Sequence, residues 1–319
     1  TNKLNPLGGL ALIIDNSTSI RSSYEVFRKT ILYGSLQLNT YAFLGWEVLD
    51  ANVEVSAYSG FKTLSRESSC FCIDVSKDES KGKFLEENIL SITQGKEKQF
   101  ITIDPQEFKV LPNAIPNFSM PQGLRSLFRK FSPVNKLVQV KTGMSSGDNE
   151  RFYKMFWEKP QQIETDWKFL SNGGDFSPYY RGDREIVNWH AGGREIMEHK
   201  KATFRNSQFY SHSGMSYSKR CEYISVQLLP PEFAFTDEGQ CIFPISEENK
   251  YGLLAFLNSN FARIVLNEYC GQHKSNGYVK LIPSPNVNLS TLGKNSERIV
   301  QILHNELIWT LPSIFSCGP

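Results

Sequence analysis

No apolar run in this 319-residue chain approaches the roughly 20 residues that cross a bilayer as a helix, so no membrane partner is expected. The six cysteines, Cys70, Cys72, Cys221, Cys241, Cys270 and Cys317, include no C-x-x-C pair and no histidine partners at ligand spacing. That argues against structural zinc and a disulfide framework, and the reading is a reduced, cytoplasmic protein without a bound metal. The first residues lack a basic stretch followed by an apolar core and a small-residue cleavage site, so export is not expected. An excess of one charge is also missing: 35 Lys and Arg against 33 Asp and Glu leave +2, too mild to announce a polyanion. Asp15, His190, His212, Asp175 and Asp183 are dispersed, and none sits in a nucleophile elbow. A metal-dependent nuclease needs converging carboxylates and a lysine, which the stretch from Asp74 to Lys77 only faintly offers.

What is present is a folded chain with 40% hydrophobic and 13% aromatic residues, long enough for about two domains. Charge is unevenly distributed. Basic residues dominate from Arg125 to Lys154 and again from Arg181 to Arg220, whereas Glu222 to Glu268 is mainly acidic. One face meeting a phosphate backbone explains this asymmetry, and so do two solvated faces of unequal charge.

Leu10 to Ile14 is a short apolar run with the look of a strand buried on both faces of a parallel sheet. A helix is expected over Ser23 to Leu32, then strands at Leu36 to Leu44, Val53 to Tyr58 and Ser68 to Val75, the last two as a hairpin. Cys70 and Cys72 then share one strand face. Five prolines from Pro105 to Pro133 mark a connector with a short basic helix near Gly123 to Phe131. Beyond it short strands are expected at 137–140, 186–189, 224–229 and 233–235. Two amphipathic helices follow: Tyr251 to Asn267, its polar side interrupted at Asn258, Ser259 and Asn260, and Ser296 to Thr310.

The run Lys141-Thr142-Gly143-Met144-Ser145-Ser146-Gly147-Asp148-Asn149-Glu150-Arg151-Phe152 is the segment best suited to a ligand. Glycines permit close backbone approach, hydroxyls and free N–H groups suit phosphate oxygens, and arginine reads a base edge or clamps a phosphate. It resembles the G-x-x-[ST]-G-D-N-x-R-F signature that opens the target-recognition region of large adenine-N6 DNA methyltransferases, the BREX phage-defence and type IIG restriction–modification enzymes. Further blocks agree in order: Tyr179-Tyr180-Arg181-Gly182, Ile186-Val187-Asn188-Trp189, Arg205-Asn206 with Phe209-Tyr210, Gly214 to Ser218, and Leu253 to Ser259. Leu49 to Val55 is similar to a stretch near the final hairpin of the catalytic sheet; a generic α/β fragment accounts for it as well.

The resemblance implies an α/β protein: the end of a Rossmann-like class I methyltransferase sheet over 1–120, a connector at 121–135, an α+β target-recognition domain over 136–290 and a C-terminal helix over 291–319. In the full enzyme it implies S-adenosylmethionine as donor, double-stranded DNA as substrate and a flipped adenine. The Gly-rich cofactor turn and the N-P-P-[FYW] tetrapeptide are missing from this sequence, and Asn5-Pro6-Leu7-Gly8 is only a near miss. The chain alone is therefore expected to bind no cofactor and to carry no catalytic residue. It would act as a fragment, or as a split subunit beside a catalytic half or other defence-system proteins. A catalytically inert stand-alone DNA-binding or adaptor subunit is the alternative.

The candidate DNA contacts are Lys141, Ser145, Ser146, Asn149, Arg151, Tyr179, Tyr180, Arg181, Arg205, Asn206, Ser216, Lys219 and Arg220. Their cations are expected to line one groove. Most of the aromatic rings between Phe152 and Arg220 suit core packing, with Tyr179 and Tyr180 as the exceptions, in a polar loop. Arg205 and Asn206 have the chemistry to read a guanine and an adenine, and equally to fix a turn.

Overall fold

The computed structural model describes residues 4–5, 8–62, 69–94, 99–159, 166–182, 184–284 and 287–310. They divide into two compact units, Thr1–Lys130 and Phe131–Pro319. The architecture is mixed α/β, built on several small sheets.

In the first unit the strands are β1 (Gly9–Asp15), β2 (Gln37–Gly45), β3 (Val55–Phe61), β4 (Cys70–Asp74) and β5 (Ile101–Ile103). They form one sheet in the order β1-β3-β2-β4-β5. Strand β3 runs antiparallel to both neighbours, with Leu12 and Tyr41 flanking Tyr58, so β1 and β2 are parallel to each other. The expected burial of β1 on both faces is not found. It is an edge strand paired only with β3, and Ile13 is 59% exposed. Nor do β3 and β4 form a hairpin: both edges of β3 are taken, and β4 lies parallel to β2 with Tyr41 opposite Cys72.

Alternation along the strands feeds two cores. Cys70 and Cys72 do share a face, with sulfurs 3.7 Å apart, and join Tyr41, Tyr58, Leu32 and Tyr33. Ile73 and Val75 face the other way, with Ala42, Leu44 and Val55 beneath helix α1 (Lys81–Thr93). Phe108, Leu111, Ala114 and Met120 are buried in the first of these cores, so much of the proline-rich stretch expected as a connector is packed structure. Helix α2 (Gln122–Lys130) occupies the expected short basic segment. The expected helix near Ser23 to Leu32 appears as short turns from Ser17 that end in a π-helix at Arg28–Ser35. Arg28 is fully buried there, donating to the carbonyls of Thr18 (2.6 Å), Arg21 (2.8 Å) and Asn113 (2.7 Å). A buried guanidinium is tolerated only when its N–H groups meet acceptors in this way.

The second unit opens with β6 (Val138–Lys141), helical turn α3 (Asn149–Phe152), β7 (Tyr153–Met155), β8 (Trp167–Ser171) and β9 (Glu185–Asn188). Strands β10 (Gly214–Ser218), β11 (Val226–Leu229), β12 (Ala234–Phe235) and β13 (Gly239–Pro244) follow. One sheet runs β11-β10-β13-β6, all antiparallel, and the other β12-β8-β9-β7. Met144, Phe152, Leu170, Val187, Tyr210, Phe235 and Phe243 form the core; Trp189 and Phe204 stack at 5.9 Å, and Tyr210 meets both edge-on at 5.4–5.7 Å.

The helix expected over Tyr251 to Asn267 is two helices, α4 (Lys250–Leu257) and α5 (Asn260–Tyr269). Asn258 and Ser259 interrupt the helix itself and not merely its polar side. Ser259 adopts extended geometry and its hydroxyl caps α5 by accepting from the N–H of Ala262 at 3.2 Å. The last helix, α6 (Leu289–Thr310), begins well before Ser296; the side chains of Leu307 and Ile308 lie outside the described ones.

Candidate nucleic-acid interface

The loop between β6 and α3 is held by main-chain hydrogen bonds and by side chains that bond to its backbone. Ser145 and Thr203 exchange two backbone hydrogen bonds of 2.8 Å, and Gly143 and Met144 donate to the carbonyls of Thr236 and Phe235 at 3.1 Å. Its glycines serve this packing and not the approach of a ligand. A Cβ on Gly143 would overlap the Phe235 carbonyl, and one on Gly147, at φ +70°, would come within 2.6 Å of Lys201. Asp148 caps α3 through the N–H of Arg151 at 3.2 Å. Asn206, in left-handed geometry, donates to the Thr142 carbonyl at 2.8 Å, and His199 Nδ1 lies 3.2 Å from the Ser146 carbonyl. The segment from Arg194 to Asn206 is thus stapled to the signature loop.

On this platform Arg151, Arg194, Lys200, Lys201 and Arg205 are all exposed. Arg151 pairs with Glu195 and stacks 5.0 Å from the Phe152 ring centre. Lys141 lies 4.6 Å over the ring of Phe209. Asn149 is exposed, but its side-chain oxygen accepts from the fully buried hydroxyl of Ser146 at 2.6 Å. Burial raises the pKa of the Tyr153 hydroxyl, partly offset by its hydrogen bond to Ser146. Desolvation lowers the pKa of Lys168, whose ammonium sits 5.2 Å from the Trp189 ring.

The remaining candidates gather in a second neighbourhood of the same unit. The Arg181 guanidinium lies against Gly174, whose carbonyl accepts from Ser218 Oγ at 2.5 Å. Lys219 and Arg220 both meet Glu238, at 3.3 Å each. Contacts therefore place the cations in two neighbourhoods of the second unit, one around Arg151 and one around Arg181, Lys219 and Arg220. Tyr179 and Tyr180 are half-buried and not free in a polar loop. Tyr179 docks its backbone between Val226 and Leu228 at 2.8 Å on each side, with φ +72°, and the Tyr180 ring packs 5.3 Å from His304 of α6. Ser216 is fully buried within β10, so it has no surface to offer a duplex in this fold.

Sequence reasoning missed Glu195, and it met Asn188 only as part of a matched block without a role. Glu195 receives Arg151 on one oxygen and the Asn188 amide, at 3.0 Å, on the other. A local motif carries no signal for a partner 44 residues away along the chain. Among the described residues no group of three His, Cys, Asp or Glu side chains is placed to hold a metal ion.

No family model matches the chain. No curated protein matches it either. Among solved structures, a nuclease-deletion mutant of the Type ISP restriction–modification enzyme LlaGI, in complex with a DNA substrate mimic, aligns over 94% of this chain at TM-score 0.53 and 11% identity. The ATP-dependent Type ISP restriction–modification enzyme LlaBIII, bound to DNA, aligns over 94% at TM-score 0.51 and 11% identity. The Type IIL enzyme MmeI, in complex with DNA, aligns over 93% at 0.49 and 14%. This chain spans 30% of the LlaGI chain and 25% of the LlaBIII chain. At such identity the likeness is one of fold, and it is to restriction–modification enzymes in general and not to BREX enzymes in particular.

Proposed function

We infer that the chain is the DNA-reading part of an adenine-N6 modification methyltransferase of a restriction–modification or phage-defence system, with its second unit contacting duplex DNA. The observation that carries this reading is the set of exposed cations, Arg151, Arg194, Lys200, Lys201 and Arg205, on a loop and segment joined by backbone hydrogen bonds. A rigid backbone that presents exposed cations is what phosphate positioning and base reading both require. LlaGI and LlaBIII, whose folds the chain shares in part, were each determined with DNA or a DNA mimic.

The first unit fits the same reading as the closing portion of a larger sheet. An antiparallel β3 inserted between parallel β1 and β2 leaves the apolar edge of β1 without a partner strand among the described residues, and β1 carries no lysine or proline to protect it. The turn after β1 offers no Gly-rich cradle for adenosylmethionine. It contains no glycine, and the N–H of Ser17 is already taken by the Asp15 carboxylate at 2.6 Å. In this reading donor binding and methyl transfer fall to a catalytic half that the chain works beside.

Fluorescence anisotropy on a labelled duplex across a salt series tests the reading. Binding should weaken steeply with salt, and Arg151→Ala or Arg205→Ala should each lower the slope of log affinity against log salt by about one if it contacts a phosphate. Absence of binding at about 50 mM salt would remove stand-alone DNA recognition.

A further inference from the structure

We propose that Glu195 is a positioning residue that holds Arg151 as a reader of guanine, and that the pair determines specificity at one base of the target. This inference rests on the DNA-reading function above.

An exposed arginine in isolation samples many rotamers and serves as a general phosphate clamp. Arg151 is constrained at both its backbone and its guanidinium. Its backbone N–H is fixed by the Asp148 cap at 3.2 Å. Its guanidinium lies against the Phe152 ring at 5.0 Å, and that ring is itself buried. One terminal nitrogen, Nη2, is engaged by Glu195 Oε1. Glu195 is in turn held through Oε2 by the Asn188 amide at 3.0 Å, and the Asn188 side-chain oxygen accepts from the N–H of His190 at 3.1 Å. The chain of contacts runs from the end of β9 to the capped turn of α3, so the arginine is oriented before any ligand arrives.

An ordinary exposed ion pair would add little, because screening and lost side-chain entropy cancel most of the attraction. What the arrangement supplies is orientation. With one Nη2 hydrogen on the carboxylate, the second Nη2 hydrogen and those of Nη1 are left as a two-donor edge, and 54% of the Arg151 side chain is exposed to deliver it. Two parallel N–H donors match the O6 and N7 acceptors of guanine in the major groove and no other base edge as well. A carboxylate beside the contact also disfavours phosphate as an alternative partner for that arginine.

The test is selection of bound duplexes from a randomised pool by the full chain, followed by anisotropy on the selected duplex and on versions with single base pairs replaced. The wild type should select a site with a guanine whose replacement weakens binding about tenfold. Arg151→Ala should abolish that penalty. Glu195→Ala should abolish it too while strengthening binding to the replaced duplex, because a negative charge has gone. Glu195→Gln removes the same charge but keeps one acceptor for Arg151, and should retain part of the discrimination. If Glu195→Ala and Glu195→Gln raise affinity for every duplex alike and leave the guanine penalty intact, Glu195 acts only through charge and the proposal fails. Should Arg151→Ala change neither affinity nor the selected site, the pair takes no part in recognition although DNA reading survives. If no duplex is bound by any form, the DNA-reading function itself falls, and this inference with it.

Discussion

Replacing Asn258 by alanine should destabilise the second unit by roughly 3–5 kcal/mol. Strand β11 is the edge of its sheet, and Asn258, 5% exposed, covers that edge. Its side-chain oxygen accepts from the N–H of Val226 at 3.0 Å, while its amide donates to the carbonyls of Val226 at 2.7 Å and Leu254 at 3.0 Å. Truncation orphans the buried Val226 N–H, at a cost of about 1–3 kcal/mol, and removes two further bonds of about 1 kcal/mol each. The Val226 carbonyl itself is not orphaned, since Tyr179 N also donates to it at 2.8 Å. In a unit of this size each kcal/mol lowers Tm by about 2–4 °C, so a fall of roughly 10 °C is expected. Differential scanning calorimetry on the full chain reads it, with Asn258→Asp as the second variant. That change places an oxygen where the amide donated to two carbonyls, so it should be at least as damaging. A shift under about 3 °C for alanine, or a harmless aspartate, would refute the hydrogen-bond argument.

Two further outcomes follow from packing and ionisation. Gly143→Ala should prevent the signature loop from seating on Phe235 and cost the second unit about 3 kcal/mol, seen as a lower calorimetric Tm and faster proteolysis near residue 143; an unchanged Tm would show that the loop relaxes freely. Alkaline pH should also destabilise the protein. Burial holds Tyr33, Tyr217 and Tyr269 well above 10.0 and pushes Cys270 up to about 11. These groups contribute their full stability while both folded and unfolded forms stay protonated. The contribution is lost as pH climbs from the free-thiol value of 9.0 towards 11, where only the unfolded chain ionises. Lys274, lowered by desolvation, pulls the other way, so Tm should decline less steeply than the tyrosines and cysteine alone would dictate. Thermal melts from about pH 8 to 11, with tyrosinate absorbance followed alongside, check this; a Tm that does not fall over that range would contradict it.

Much of the fold is legible where periodicity is strong. The apolar run at Leu10 to Ile14 and the alternation around Cys70 and Cys72 mark strands correctly, because side-chain period is a local property. Partner choice is not legible: whether β4 joins β3 or β2 depends on which edges are already occupied, and only the assembled sheet decides that. Gly214 to Ser218 has the composition of a polar surface block although it is a strand with every residue buried, since serine and glycine carry no hydrophobic signal yet fit a crowded sheet interior. The signature loop is recognisable as a feature, but the role of its glycines is not, because the atoms they avoid belong to Phe235 and Lys201. The same distance in sequence hides Glu195 from any reading of Arg151.

The two-way Ser145–Thr203 hydrogen bonding and the neighbouring Gly143 and Met144 contacts use only peptide groups. Side chains at Arg194, Lys200, Lys201 and Arg205 enter none of these bonds. Such a surface can be rewritten residue by residue with little threat to folding, since each exchange alters what protrudes and leaves the clasp beneath it unchanged. Descendants of one ancestor could then diverge rapidly in what they recognise while keeping one backbone, and an engineer could diversify the same four positions in a single library. Selection would act on affinity alone, without first having to rescue stability.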